Sequence, residues 1–207
     1  DGLVIANEMA NNNIQAFIGA RNYNKNIALN ERGVIRPKAV SVPIDLAQNA
    51  SEYSVDLGSW VYNEGLSFIQ GIQLNAEISH NSSILHSVSS TNYDLCPNDS
   101  VFVSLPSFSQ SSYSVGKYSL DYQLMLDSLD DKPIDNNITQ DFHISNQVFS
   151  NALLDSNENI VFGPYYRPSN ATGSVSVCTP FMDSNASRLI PDGISFAALC
   201  SGCDLTN

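Results

Sequence analysis

The sequence predicts an all-β protein folded as an antiparallel sandwich, and three observations carry that reading. Apolar residues recur with a period of two, most clearly at Tyr118, Leu120, Tyr122, Leu124 and Leu126, with Ser119, Asp121, Gln123 and Asp127 on the opposite side. Strict alternation marks a half-buried strand with one face in a core. Turn signals separate the apolar runs, and no helical period appears between them. Asn and Ser are abundant, 23 and 30 of 207 residues. Their side chains compete for backbone hydrogen bonds, so they suit turns and exposed strand faces better than helices.

In chain order, residues 1–38 are Asn-rich and weakly patterned. Asn11-Asn12-Asn13 signals a loop, and Ile14, Ala16 and Ile18 alternate over a short candidate strand. This region reads as an N-terminal extension or the end of an upstream element, closed by the break at Arg36-Pro37. The sandwich is expected over 39–149. Its first strand carries Val40, Val42, Ile44 and Leu46, with Pro43 placing it at an edge, because proline cannot donate to a ladder. The next carries Tyr53, Val55 and Leu57, with a bulge invited at Gly58 and a continuation from Trp60 to Tyr62. Trp60 is the chain's one tryptophan, and its place in a mid-chain strand suits an anchor between two sheets.

Asn63-Glu64-Gly65 reads as a turn. Ile72, Leu74, Ala76 and Ile78 then alternate strictly, Ile84–Val88 is a short candidate strand, and Val101, Val103 and Leu105 form another that Pro106 ends. The stretch from Gly116 reads as a hairpin that closes the sandwich. Its two strands flank the acidic turn DSLDDKPIDNN, and the return run offers Phe142, Ile144 and Val148 to the core. Residues 150–207 have frequent turns and short apolar runs, Val175 with Val177 and Ile194 with Phe196 and Ala198. So little core does not stand alone. This part reads as the start of a second β-domain or as strands packed on the first.

Composition bounds the function. With 21 acidic residues against 9 basic, the formal charge is −12. That argues against nucleic-acid binding, which depends on clustered cations, and against an anionic membrane surface. No apolar run approaches the roughly 20 residues of a spanning helix. The chain opens on Asp1, as expected of a mature or excised fragment.

The residues that could carry chemistry are few. Asp127, Asp130, Asp131 and Asp135 gather in the acidic turn, where carboxylates and turn carbonyls suit a hard cation such as calcium. The spacing is not that of an EF-hand, and a solvated hairpin tip is the plainer expectation. Cys96, Cys178, Cys200 and Cys203 are an even count that predicts disulfides in an oxidising compartment, with three pairings open. Cys200-Ser-Gly-Cys203 also has the spacing of a zinc half-site or redox pair, but the further ligands and the βαβ context those need are missing. His80, His86 and His143 are too scattered for a metal site, and His143, on the polar side of its strand, reads as a surface histidine. No nucleophile elbow, zinc-protease motif or phosphate loop occurs, so the chain reads as non-enzymatic. Asn49, Asn81, Asn98, Asn137, Asn170 and Asn185 head Asn-x-Ser/Thr sequons, as chance alone supplies in so Asn- and Ser-rich a chain.

Several of these stretches resemble a known family. Gly116-Lys-Tyr-Ser-Leu-Asp-Tyr, the turn with Pro133-Ile-Asp135-Asn136, Asp141-Phe-His-Ile-Ser-Asn146 and Val148-Phe-Ser150 resemble Ig-like modules of secreted and surface proteins of Bacteroidetes, many exported by the type IX secretion system. Leu57–Gly65, Tyr166–Gly173 and Asn185–Arg188 are similar to further segments of such proteins, and the likeness covers about residues 39–198. The sorting domain that would fix the secretion route is not part of it. The resemblance implies an Ig-like antiparallel β-sandwich and a secreted or outer-surface location. It implies a non-catalytic role in adhesion, assembly or spacing, with other domains of the parent or surface and secretion proteins as partners. It also makes Ser100 and Ser128, each preceded by Asp and followed by an apolar residue, candidates for O-glycans. Two rivals stand beside it. One is an accessory domain of a secreted hydrolase that binds carbohydrate through Tyr62, Tyr93, Tyr113, Tyr165 and Tyr166. The other is a cargo fragment bound to type IX secretion machinery.

Overall fold

The computed structural model describes residues 3–8, 13–18, 23–152, 154–155, 157–161 and 181–194. It is an Ig-like β-sandwich, antiparallel except for one short parallel pair, residues 41–43 against 143–145. Strands β1 (Leu3–Glu8) and β2 (Asn13–Ile18) form a separate hairpin. The smaller sheet of the sandwich has the order β3-β5-β9, from Ile27–Val34, Val55–Asn63 and Ser100–Phe108. The larger sheet runs β4-β11-β10-β6-β7, from Ser41–Pro43, Asn137–Ser145, Gly116–Met125, Ile69–His80 and Ser83–Ser89. The short β8 (Tyr93–Leu95) pairs with β6 beyond the end of β7.

The hairpin β10–β11 forms where the alternation places it. Tyr118, Leu120, Tyr122 and Leu124 are buried on one face of β10, and Phe142 and Ile144 face the same core from β11. β10 is central, held by β11 on one side and β6 on the other. The strict alternation of β6 is equally faithful, with Ile72, Leu74, Ala76 and Ile78 inaccessible to solvent. The β6–β7 turn is Asn81-Ser82, both at positive φ (50° and 63°). That is the primed two-residue hairpin whose twist matches the flanking strands.

Four expectations need correction. Residues 27–34 are an integral strand, with Ile27, Leu29 and Val34 in the core, so the sandwich begins before residue 39. Its polar middle, Asn30-Glu31-Arg32-Gly33, falls in a register break of an edge strand, where exposure is allowed. The strand around Pro43 is indeed at an edge, yet only Ser41–Pro43 is extended, and Ile44–Leu46 turns as 3-10 helix. β9 runs through Pro106, because Pro106 and Ser107 bulge out opposite Asp56 on an edge strand that demands no donor there. Trp60 does not anchor the sheets. Leu57, Ser59 and Val61 take the inner face, leaving Trp60 outside and 43% exposed.

Tyrosine hydroxyls make the buried polar links. Tyr118 donates to the Ser114 carbonyl (2.9 Å) and accepts from the Ser114 amide (3.1 Å). A hydroxyl returned to the backbone a few residues upstream is the tyrosine corner of Ig-like sandwiches. Tyr113 accepts from the Gln110 amide and donates to the Tyr53 carbonyl. Tyr122 crosses the sandwich, accepting from the Gly58 amide and donating to the Ile35 carbonyl, each at 3.1 Å. Burial pushes the Tyr122 phenol up from its ordinary value, partly offset by the Gly58 amide. These hydroxyls therefore stay protonated donors.

Candidate functional site

The acidic turn, the one place where the sequence gathers carboxylates, lies at the end of the sandwich where β3 starts. Residues 23–26 meet it there; they bond in turn to the 63–67 turn, and that turn to the 96–99 loop. Asp131 accepts hydrogen bonds from the Asn24 amide (2.7 Å) and the Lys25 amide (2.9 Å), and its own amide donates to the Lys25 carbonyl. Asp130 accepts from the Ile27 amide (3.1 Å) and the Asn136 side-chain amide through one oxygen, and from the Lys132 amide (2.7 Å) through the other. Asp135 pairs with Lys132 at 2.6 Å, and that ammonium lies 5.8 Å from the centre of the Tyr23 ring. The Asp135 carboxylate in turn raises the Lys132 pKa. Asp127 stands apart, its carboxylate beside Gly71 on β6.

These four carboxylates thus act separately. Asp130 and Asp131 tie the turn to the start of β3, Asp135 neutralises Lys132, and Asp127 covers a glycine. Among the described residues no group of three or more His, Cys, Asp and Glu side chains is arranged to hold a metal ion. Among the described residues, the buried side-chain oxygen of Asn136 and Oδ1 of Asp135 have no hydrogen-bond partner.

Asn63, legible in the sequence only as a turn residue, is the hub of the neighbouring loops. Its side-chain amide donates to the Ser67 and Leu95 carbonyls, and its side-chain oxygen accepts from the Gly65 amide. Asn24 completes the link, its carbonyl accepting from the Leu66 and Ser67 amides. The Gly65 and Ser67 bonds are local, of the kind an Asn-x-Gly turn signals, whereas the Leu95 and Asn24 links join residues far apart in the chain and leave no local signal.

The remaining candidates scatter. Ser100 is exposed at the start of β9 and Ser128 is half-buried in the acidic turn. Asn81, Asn98 and Asn137 are exposed, Asn49 and Asn185 half-buried, and Asn170 lies outside the described residues. Cys96 is an exposed free thiol among the described residues; Cys178, Cys200 and Cys203 lie outside them, as do Tyr165 and Tyr166. Tyr113 is buried, and Tyr62 and Tyr93 are half-buried. The exposed aromatic pair is Trp60 with Phe102 on the outer face of the smaller sheet, centroids 5.7 Å apart with planes at 61°.

His143 is not at the surface. It is 7% exposed, because β11 lies between β10 and β4 and the chain after it folds back to pair Ser150 with Ser41. Burial, helped by Lys117, holds its pKa below the ordinary value against the opposing pull of Asp141 and Glu158. His80 stacks on Tyr118 at 4.4 Å, and His86 lies 5.6 Å from Phe108.

Past residue 150, the described part of the chain packs on the sandwich. Arg188 forms two 3.0 Å hydrogen bonds with the Glu52 carboxylate and one with the Asp45 carbonyl. The Arg188 bonds hold the Glu52 pKa low. Phe181 meets Phe149 edge-on at 4.5 Å. Residues 175, 177, 196 and 198, expected as strand positions, lie outside the described residues, and Ile194 is exposed.

By its fold the chain is an Ig-like β-sandwich domain. No family model and no curated protein matches its sequence. Among solved structures it is similar to the CARDB domain of the PF1109 protein from Pyrococcus furiosus, crystallised in complex with di-metal ions. That likeness has 12% identity and a TM-score of 0.38, over 59% of this chain and 94% of that one. The solution NMR structure of the same domain gives 14% identity and a TM-score of 0.38, over 60% and 97%.

Proposed function

We propose that the chain is a non-catalytic module of a secreted or cell-surface bacterial protein, serving adhesion, assembly or spacing. The observation that supports this most is the use made of the acidic turn. Asp130 and Asp131 spend their carboxylates on backbone amides of the 24–27 segment, locking loops together at one end of the sandwich. Groups that fasten a scaffold are not free to act on a substrate. The resemblance of the 116–150 hairpin to exported Bacteroidetes modules supplies the location and the multidomain parent. The reading needs no cofactor.

A carbohydrate-binding accessory domain is the second reading, favoured by the exposed Trp60–Phe102 pair. Flat sugar faces stack best on coplanar rings, and these stand at 61°, so it ranks below the first. The test is protease shaving of intact cells that produce the parent protein, followed by detection of peptides from residues 39–149. Release from intact cells, or recovery from the medium, is expected. Protection until the cells are lysed overturns the exported-module reading.

A further inference from the structure

The free edges of the two sheets are not alike. Natural proteins blunt exposed edges by shortening them or by adding charge, proline or bulges, since an open ladder is a template for another strand. β4 is three residues long, ends on Pro43 and is covered at Ser41 by a bridge to Ser150. β3 carries Glu31 and Arg32 in a register break. β9 holds Pro106 in its bulge. β7, Ser83–Ser89, has seven residues, no proline and no charge, and it pairs only with β6 among the described strands. Its single irregularity is at Leu85, leaving His86–Ser89 in regular register with Asn75–Ile78.

Charge does not oppose an approach along β7. The chain carries −12 overall, yet β7 itself has no charged residue, and the carboxylate nearest it in the ladder is Glu77, one strand in. β9 is as free of charge but carries Pro106 in its bulge, and β4 is short and ends on Pro43, so length, proline and charge taken together leave β7. Ile84 and Leu85 are 62% and 39% exposed, apolar surface that such an approach would cover.

We propose that β7 is a docking edge for a second copy of this chain. The β7 strands of two copies pair antiparallel across a two-fold axis and join the larger sheets into one. An isologous pairing of this kind needs only a self-complementary strand, and backbone hydrogen bonds of the β-augmentation type supply the affinity. The inference stands independently of the exported-module reading, since it rests on edge chemistry and charge alone.

The test is sedimentation of the full 207-residue chain at pH 7.5 from about 10 μM to about 1 mM, with amide exchange measured at both extremes. The expected mass rises from 22.5 kDa toward twice that value, and the amides of residues 83–89 slow with concentration while those of β5 and β10 do not. Ile84→Lys keeps the fold, because Ile84 is 62% exposed, and with uncharged Ser79 opposite it sets unpaired positive charge along both edges. It is expected to weaken dimerisation by about tenfold or more with the monomer's melting unchanged. A chain that stays monomeric to about 1 mM overturns the proposal. So does a dimer whose β7 amides exchange at a concentration-independent rate, or one that Ile84→Lys leaves intact.

Discussion

The hydroxyl of Tyr122, on the larger sheet, lies 3.1 Å from the amide of Gly58, on the smaller. The same hydroxyl donates to the Ile35 carbonyl, just past the end of β3 at Val34. The Ile35 amide closes the loop by donating to the Gly58 carbonyl at 2.8 Å. One phenol therefore satisfies two backbone groups that the small sheet leaves open, and it does so from across the core. Buried backbone groups without such partners are costly.

Tyr122→Phe is expected to keep the fold and to lose about 1–3 kcal/mol of stability, the cost of leaving a buried donor and acceptor unpaired. Urea unfolding read by far-ultraviolet circular dichroism checks this. An unchanged midpoint would mean that water replaces the hydroxyl.

Gly58 is tight as well as bonded. A Cβ there would lie 2.6 Å from the Val103 carbonyl oxygen and 3.3 Å from the Phe102 ring. The carbonyl belongs to the paired strand and cannot swing away. Gly58→Ala should therefore destabilise by about 2 kcal/mol or more, and Gly58→Val should prevent folding. A melting temperature within a few degrees of the parent would contradict this packing.

The use of Asp130 predicts how calcium behaves. Asp130→Ala removes the acceptor for the Ile27, Lys132 and Asn136 donors, and about 1–3 kcal/mol should be lost. Because the carboxylate holds amides, that loss should be equal in EDTA and in millimolar calcium. A parent protein that melts higher in calcium, with the increment gone in Asp130→Ala, would reinstate the acidic turn as a cation site.

His143 gives the pH response. Its folded pKa is depressed by burial first and by Lys117 second, so the unfolded chain takes up the proton more readily than the native one. The contribution is fully present above the unfolded value of about 6.5 and is lost as pH falls through that value toward the lower, folded pKa. His143→Gln should flatten the stability profile below pH 6.5, whereas an identical acid limb in the variant would assign the loss to other groups.

Much of the architecture is legible in the sequence, for definite reasons. β6 and β10 alternate strictly because each has one face in the core, and the Gly116 hairpin was visible from both its strands and its turn. β3 was not, because only Ile27, Ala28 and Leu29 precede its polar bulge, and three apolar residues are too short a signal. Trp60 misleads by size: its neighbours Leu57 and Val61 set the inner face, and alternation then places the indole outside. His143 reads as polar-face and exposed until the chain beyond Ser145 is seen to cover it. The acidic turn was legible as a cluster but not as a clamp. Its donors, Asn24, Lys25 and Ile27, lie more than 100 residues away, and no local pattern reports on such contacts.

The central claim is that β3 is part of the sandwich, held by Tyr122 at one end and by Asp130 and Asp131 at the other. Residue-resolved amide exchange of the native chain tests it most directly. The account predicts that the Ala28 amide, which faces Tyr62 of β5 in the ladder, and the Gly58 amide exchange as slowly as those of Val61 and Leu120, and that Tyr122→Phe selectively speeds Gly58. Exchange of residues 27–34 at the rate of an unstructured extension would contradict it, and would return the start of the domain to residue 39.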